Sequence, residues 1–164
     1  MGYTTDFEGC FTLNKPLDSG HAAYLRAFAE TRRMKRDPGI ADTFSDPLRQ
    51  NIGLPIGAAG EYFVGGAGYF GQDSDSSIIN FNAPPDSQPG LWCQWIPNED
   101  GTAIVWDGGE KFYHYVEWIK YLIEHFFSRW GYTLNGDVSW QGEEHDDRGV
   151  IMIRGNECFV KHSF

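Results

Sequence analysis

Residue types that act as acids, bases and metal ligands are concentrated in residues 142–148, which have the sequence GEEHDDR. Two glutamates, one histidine and two aspartates follow one another there. Consecutive side chains in a loop point in different directions, so they cannot all reach one ion or one reacting atom. We interpret the stretch as a solvated hairpin loop, and catalysis or metal binding at this loop is the alternative.

The sequence lacks the short motifs of common catalytic and metal sites. It has no G-x-S-x-G and no H-E-x-x-H pattern. Cys10, Cys93 and Cys158 are far apart, without a C-x-x-C pair or zinc-ligand spacing. The sequence therefore predicts no metal site, no cofactor and three unpaired thiols, and it identifies no catalytic residue.

Residues 66–71, GAGYFG, match the G-x-G-x-x-G pattern of dinucleotide-binding loops. That pattern needs a following helix whose N-terminus holds the pyrophosphate, but the turn-like, acidic sequence QDSDSS follows here. We therefore reject dinucleotide binding. Asp73 and Asp75 have the spacing of a calcium loop, but no glutamate closes that loop at the required distance.

Five of the six tryptophans lie between residues 91 and 130. Residues 91–96 and 102–106 predict two strands joined by the turn sequence PNEDG. The hairpin is followed directly by the junction Asp107-Gly108-Gly109-Glu110, which carries two carboxylates. Exposed aromatic rings beside carboxylates are typical of a stacking pocket or an interface hot spot, and a tryptophan-rich core is the alternative.

Residues 26–36 hold five of the 13 basic residues. This basic cluster either complements the C-terminal end of a helix dipole or forms a clamp for phosphate or carboxylate groups. Residues 51–110 contain no Lys or Arg, so the middle of the chain is acidic. We predict that the basic cluster meets this acidic, aromatic region in a binding site made of Arg32, Arg33, Asp73, Trp92, Trp95, Trp106, Asp107 and Glu110.

The strongest helical periodicity runs from residue 111 to residue 130. Eight apolar residues fall on one broad face there, Asp107 or Gly109 is the expected cap, and Gly131 is the expected end. A second stripe of rings with polar tips consists of His114, Trp118, Tyr121 and His125. We interpret it as packing, with one wall of a ligand or partner groove as the alternative.

The remaining elements complete an α+β pattern. A strand at residues 3–13, a helix at 20–33 and a long loop at 37–60 with one helical turn near 46–50 come first. Short strands at 61–64 and 77–81 precede the tryptophan hairpin, and three strands follow the long helix at 132–141, 150–153 and 158–161. Asn135 and Gly136 suggest a turn or bulge. We predict a single domain, residues 1–164, with a mostly antiparallel sheet and two main helices packed on one face.

The net charge of the chain limits the classes of molecule that it is expected to bind. The chain has 23 acidic and 13 basic residues, giving a net charge of −10. Phosphate affinity needs basic surface, so a nucleic acid is an unlikely direct ligand, whereas a basic protein partner or nucleic-acid mimicry is compatible. No signal-peptide pattern and no apolar run near 18 residues is present. We expect a soluble, cytoplasmic protein that does not engage the membrane.

The runs TRRMKRD, EYFVGG, GQDSDSSIINFNAPP, QPGLWCQWIP, DGTAIVWDGGEKFYHYVEW and WGYTLNGDVSWQGE resemble a family of hypothetical proteins found in bacteriophages and bacteria. The resemblance covers nearly the whole chain and implies a bacterial cytosolic setting, but no activity or catalytic residue. Small phage proteins of this kind are often host-takeover or counter-defence factors. We expect a non-enzymatic binding protein that engages a host protein or a small signal molecule, and the alternatives are a small hydrolase or transferase with an unrecognised active site and an acidic nucleic-acid mimic.

Overall fold

The computed structural model describes residues 2–65 and 75–163, which fall into two compact units. The first, here called the sheet unit, consists of Met1–Leu17 and Gln94–Phe164. The second, here called the loop unit, consists of Asp18–Cys93. The single domain expected over residues 1–164 stays a prediction.

The regular elements alternate short strands with mostly short helices. The helices are α1 (Ser19–Glu30), α2 (Pro38–Ala41), α3 (Pro47–Asn51) and α4 (Tyr115–Leu122), and a single 3₁₀ turn covers Ala58–Gly60. Helix α4 continues without a break through a π-helical turn at Ile123–Phe127 and a last α-helical turn at Ser128–Trp130, and residues 115–130 are called the long helix. The strands are β1 (Asp6–Leu13), β2 (Lys35–Arg36), β3 (Ile78–Asn80), β4 (Trp95–Pro97), β5 (Ala103–Trp106), β6 (Leu134–Gln141), β7 (Arg148–Arg154) and β8 (Glu157–His162).

The sheet unit contains one antiparallel sheet with the strand order β4-β5-β1-β6-β7-β8. Strand β1 lies inside it and pairs with β6 along its whole length, from Asp6 opposite Gln141 to Leu13 opposite Leu134. On its other side β1 pairs with β5, with Phe11 opposite Ile104. The predicted α+β class with a mostly antiparallel sheet is confirmed.

Side-chain alternation gives the sheet one buried face. Phe7, Phe11, Val138 and Ile151 are buried on the side that faces the long helix, while their strand neighbours point to the other face. Gly149 lies opposite Trp140, and a Cβ at this position would overlap the indole ring. The glycine therefore lets the largest side chain of β6 lie against β7. We call the opposite side of the sheet the open face.

The long helix begins at Tyr115, four residues later than the predicted start at Lys111. Lys111 and His114 both have φ of 59°, so the chain turns there instead of winding into a helix. The predicted caps, Asp107 and Gly109, are wrong, since His114 holds the N-cap position. The predicted end is confirmed, because Gly131 has φ of 85° in the left-handed region.

The buried face of the long helix is wider than predicted. Ile119 and Phe126 are fully buried as expected, but Trp118, Tyr121 and Phe127 are buried as well. A π-helical turn inserts an extra residue into the helical repeat, which is how consecutive residues 126 and 127 both face inward. The packing interpretation of the ring stripe therefore holds for Trp118 and Tyr121, and the His125 ring stacks on Tyr121 at 3.9 Å.

The second main helix, α1, belongs to the loop unit, where its Tyr24, Leu25 and Phe28 are buried. It ends at Glu30, not at Arg33, so Arg32 and Arg33 lie in the irregular segment that follows. The helical turn predicted near residues 46–50 is confirmed as α3.

Two local predictions are wrong. The strand predicted at residues 61–64 is a turn followed by irregular chain, because side chains rather than a neighbouring strand satisfy its carbonyls: Tyr24 donates to the Tyr62 carbonyl at 2.8 Å. Asn135 and Gly136 form neither a turn nor a bulge, since both lie within the continuous ladder of β6 with β1, which has no shift of register.

None of the helices in the part of the chain that the structure describes is long and apolar enough to cross a membrane.

Ile119→Ala tests the packing of the long helix. Ile119 is fully buried, so its truncation leaves a cavity and should lower the free energy of unfolding by about 2–5 kcal/mol, measured by urea denaturation. Lys120→Ala on the exposed neighbouring position is the control and should change stability by less than about 0.5 kcal/mol. Equal losses for the two variants would mean that the buried face is assigned wrongly.

The three cysteines are thiols that form no disulfide; Cys93 is buried, and Cys10 and Cys158 are partly exposed. Burial raises the pKa of the Cys158 thiol, and a lower thiolate fraction slows its reaction. Without reductant, a thiol reagent should count three thiols in denaturant, and in the native protein Cys93 should react only as the chain unfolds. A count of one in denaturant would contradict the reduced state expected of a cytoplasmic protein.

Candidate functional site

The aromatic residues of the tryptophan hairpin pack around Phe7 of β1. Its ring lies 5.4 Å from Trp95, 5.3 Å from Trp106, 5.7 Å from Phe112 and 5.0 Å from Tyr115. Trp95 is 2% exposed, and its indole N–H donates to the Tyr115 carbonyl at 2.9 Å. Trp95 is therefore part of the core, as the alternative interpretation has it.

The acidic junction after β5 is organised by Gln94. Its side-chain amide accepts from the Trp106 indole at 3.1 Å and donates to the Glu110 carbonyl at 2.8 Å. Asp107 accepts a hydrogen bond from the Gly109 amide at 2.7 Å. Nearby protein atoms raise the pKa of the Asp107 carboxyl by desolvation, although the residue as a whole is exposed. Trp106, Asp107 and Glu110 thus do lie together, around a glutamine that the sequence did not single out.

Arg32 and Arg33 lie in the loop unit and have different surroundings. Arg33 is 2% exposed, stacks on the Phe28 ring at 4.1 Å and donates to the Glu61 carbonyl at 2.7 Å. Arg32 is partly exposed, lies over the Phe81 ring at 4.2 Å and donates to the Phe81 carbonyl at 3.0 Å. Burial lowers the pKa of Arg32.

The remaining predicted site residues divide between the two units. Trp92 is partly buried in the loop unit, and Asp73 lies outside the described residues. The meeting of Arg32 or Arg33 with Asp107 and Glu110 stays a prediction. Because Arg33 and Trp95 are both buried, replacing either one would disturb packing as well as any binding.

Other arginines of the loop unit carry the carboxylate pairs. Arg36 donates to Asp75 at 3.0 Å and to Ser77 at 2.7 Å, and it stacks on a phenylalanine ring. Arg49 donates to Asp46 at 2.6 Å. Burial raises the pKa of the Asp46 carboxyl, and the Arg49 hydrogen bond opposes that rise. The two arginines and Asp46 are buried and Asp75 is partly buried, so these pairs hold the unit together and are not an open binding site.

The charged loop is fixed by hydrogen bonds. Asp147 accepts from the Tyr3 hydroxyl at 2.7 Å and from the Trp140 indole at 3.0 Å. The Gly142 amide donates to the Asp147 carbonyl at 2.7 Å and closes the loop. Within residues 2–65 and 75–163, no three His, Cys, Asp or Glu side chains are placed to hold a metal ion. The hairpin-loop interpretation accounts for this stretch.

A surface groove lies between the start of the long helix and the edge strand β8, with a volume of about 380 Å³. Three separate segments form it: the turn and first residues of the helix, one residue of β6, and the end of β8. Its lining residues are His114, Tyr115, Val116, Glu117, Trp140, Val160 and His162.

The aromatic side of the groove is held rigidly. The hydrogen bond to Asp147 fixes the Trp140 indole, Tyr115 packs on it at 5.8 Å, and His162 meets it edge-on at 5.3 Å. His114 and Glu117 are exposed at the helix end of the groove. The arrangement presents apolar and aromatic surface with a polar rim, which is the composition of a binding site.

Carboxylates lie close to Tyr115 in the groove. Burial, with smaller contributions from the charges of Asp147 and Glu117, raises the pKa of Tyr115 to about 12. Sequence reasoning named His114 but not Glu117, Trp140 or His162, because these residues come from three segments that only the sheet brings together. The alternation of side chains along β8 puts Val160 and His162 on one side of the strand. This alternation was the sequence signal that could have identified them as neighbours.

Comparisons with models of protein families, with curated proteins and with solved structures found no match for this chain. The resemblance to bacteriophage and bacterial proteins therefore stays a prediction.

Titration of Tyr115 tests the electrostatics of the groove. Tyr115 should ionise near pH 12, visible as the phenolate absorbance present in the wild type and absent in Tyr115→Phe. Because its folded pKa lies above the unfolded value, its contribution to stability is complete below about pH 10 and is lost as the pH rises to about 12. Glu117→Gln should lower this pKa, and Glu157→Gln, on the open face, should leave it unchanged. Equal shifts in both variants would show that Glu117 does not act locally.

Proposed function

We propose that this chain is a non-enzymatic binding protein and that its groove receives a cationic segment of a partner protein. The groove combines an aromatic, apolar wall with nearby carboxylates whose charges help to raise the pKa of Tyr115. This combination is the observation that supports the function. A lysine or arginine entering the groove gains from the negative potential and from stacking on aromatic rings. Its aliphatic stem packs on Val116 and Val160.

A protein segment suits this groove better than a small molecule. Pockets for small ligands enclose most of the ligand surface, whereas this groove is open and runs along an exposed strand. Tyrosine and tryptophan, which lie at its centre, are enriched at the residues that dominate protein interfaces. The chain's net charge of −10 would also speed the approach of a basic partner.

The bacterial setting of this function is an expectation from the family resemblance alone. In a bacterial cytosol the partner would be a host protein with an exposed basic segment, and a host-takeover or counter-defence role follows if the gene belongs to a phage. Nucleic-acid mimicry has less support, because the open face of the sheet carries both signs of charge: Arg154 pairs with Asp137 at 2.8 Å.

Affinity capture from bacterial lysate with three immobilised proteins tests the proposal. Wild-type protein and Glu124→Lys should retain the same basic protein, and Glu117→Lys should lose it. Residues 117 and 124 are both exposed acids on the long helix, two turns apart, and only Glu117 lines the groove. The two variants therefore carry the same change in net charge.

Mass spectrometry should cover bound proteins and bound metabolites. With the purified partner, Glu117→Lys should raise the dissociation constant at least about tenfold, as expected for a like-charge contact of about 1.4 kcal/mol. Equal capture by both variants would refute the groove as the site. Retention of a metabolite instead of a protein would favour a small signal molecule.

A further inference from the structure

Strand β8 is an edge of the six-stranded sheet and pairs only with β7 among the described residues. It is six residues long, and five of the six are exposed. Phe159 is 48% exposed and Val160 is 38% exposed. Edge strands usually avoid exposed apolar residues, because their free backbone groups offer a template for another strand.

The direction of each backbone group on β8 follows from the hairpin. The Ser163 amide donates to the Arg148 carbonyl at 2.9 Å, and hydrogen-bonded pairs alternate along an antiparallel ladder. Phe159 and Lys161 therefore direct their backbone groups toward β7, and Cys158, Val160 and His162 direct theirs away from the sheet. Three residues thus present N–H and C=O groups in line for a further strand.

We propose that β8 binds β8 of a second copy of this chain in antiparallel orientation, joining two sheets into one of twelve strands. In the register that we propose, Phe159 lies opposite Phe159 of the second copy. Cys158 then lies opposite Val160 of the second copy, and both residues belong to the set with outward backbone groups, as hydrogen bonding between the strands requires.

The side chains of β8 are complementary to themselves in this register. Glu157 lies opposite Lys161 of the second copy, and the symmetry axis repeats this ion pair on the other side of Phe159. The paired phenylalanines cover each other where the strand is most exposed. Directly opposite charges and aromatic pairs are the contacts that stabilise neighbouring strands. Centring the axis on Val160 instead would leave Glu157 opposite Ser163 and Phe159 opposite Lys161, without the ion pairs.

Self-pairing does not rest on the groove, although the two sites adjoin. Side chains of Val160 and His162 line the groove, while their backbone groups point outward to the second copy. His162 would lie opposite Asn156 of the second copy, so the Gly155–Asn156 turn of that copy would flank the end of the groove. Loss of the dimer and loss of partner binding are separate measurements.

Sedimentation equilibrium of the purified chain tests the proposal. The wild type should associate reversibly to twice the 18.6 kDa of one chain. Val160→Pro should be monomeric, since it removes an outward N–H at an edge position where proline is tolerated. Val160→Ala keeps the N–H and should still form dimers. Circular dichroism reports whether each variant is folded.

Charge exchange tests the register. Glu157→Lys and Lys161→Glu each place like charges opposite one another twice per dimer and should weaken association about tenfold. The double variant should restore it. Phe159→Cys should form a disulfide across the axis, because a non-hydrogen-bonded pair has Cα atoms about 4.5 Å apart, whereas Lys161→Cys should cross-link much more slowly. These variants keep the test decisive if Val160→Pro does not fold.

A monomer at all concentrations would overturn the proposal. So would a dimer that persists in folded Val160→Pro, since its interface would lie elsewhere. A dimer whose affinity is unchanged by the single charge variants, and which does not cross-link through residue 159, would overturn the register and with it the stated complementarity.

Discussion

The sheet unit depends on the pairing of β1 along both of its edges. The first strand of the chain lies inside the sheet and joins β5 and β6, which begin far later in the sequence. Phe7 of the same strand packs against Trp95 and Trp106. Contacts of such sequence separation carry a large loop-closure cost, so this pairing must be sustained by a dense aromatic core. Strand β1 lies inside the sheet, and the two edge strands are the short β4 and β8.

The loop unit is held together by buried charged groups and not by a large sheet. The regular elements among its described residues are short, and its chain folds around buried arginines. The guanidinium groups of these arginines contact carbonyls, carboxylates and aromatic rings. Arg33 donates a hydrogen bond to the Glu61 carbonyl and stacks on the Phe28 ring. Arg49 donates a hydrogen bond to Asp46. A buried pair of this kind is costly to break, about 3–5 kcal/mol when one partner is removed. It restricts the arrangement of the loops, because each buried arginine needs acceptors for its N–H groups.

Sequence patterns predicted what depends on local periodicity and missed what depends on distant segments. The apolar face of the long helix and its end at Gly131 follow from the spacing of apolar residues and from the glycine alone. The helix start did not, because Lys111 and His114 adopt positive φ, which these residue types rarely do. Arginines close together in sequence suggested a helix end or a clamp for anionic groups, yet Arg33 and Arg36 are buried; composition gives charge but not burial. The groove was missed because Glu117, Trp140 and His162 are neighbours only in the folded sheet.

Strand β8 connects the two proposed interactions through the geometry of a single element. In an extended strand the side chains of Val160 and His162 point to the helix-covered side, while the backbone groups of the same residues lie in the plane of the sheet. One strand can therefore contribute to a side-chain groove and to a backbone interface without competition for atoms. If the second copy's turn flanks the groove, a partner that contacts this turn binds the dimer better than the monomer. Linkage then requires the reverse as well: the same partner must strengthen dimerisation by an equal factor. Groove occupancy and self-association are then coupled through strand β8, five of whose six residues are exposed.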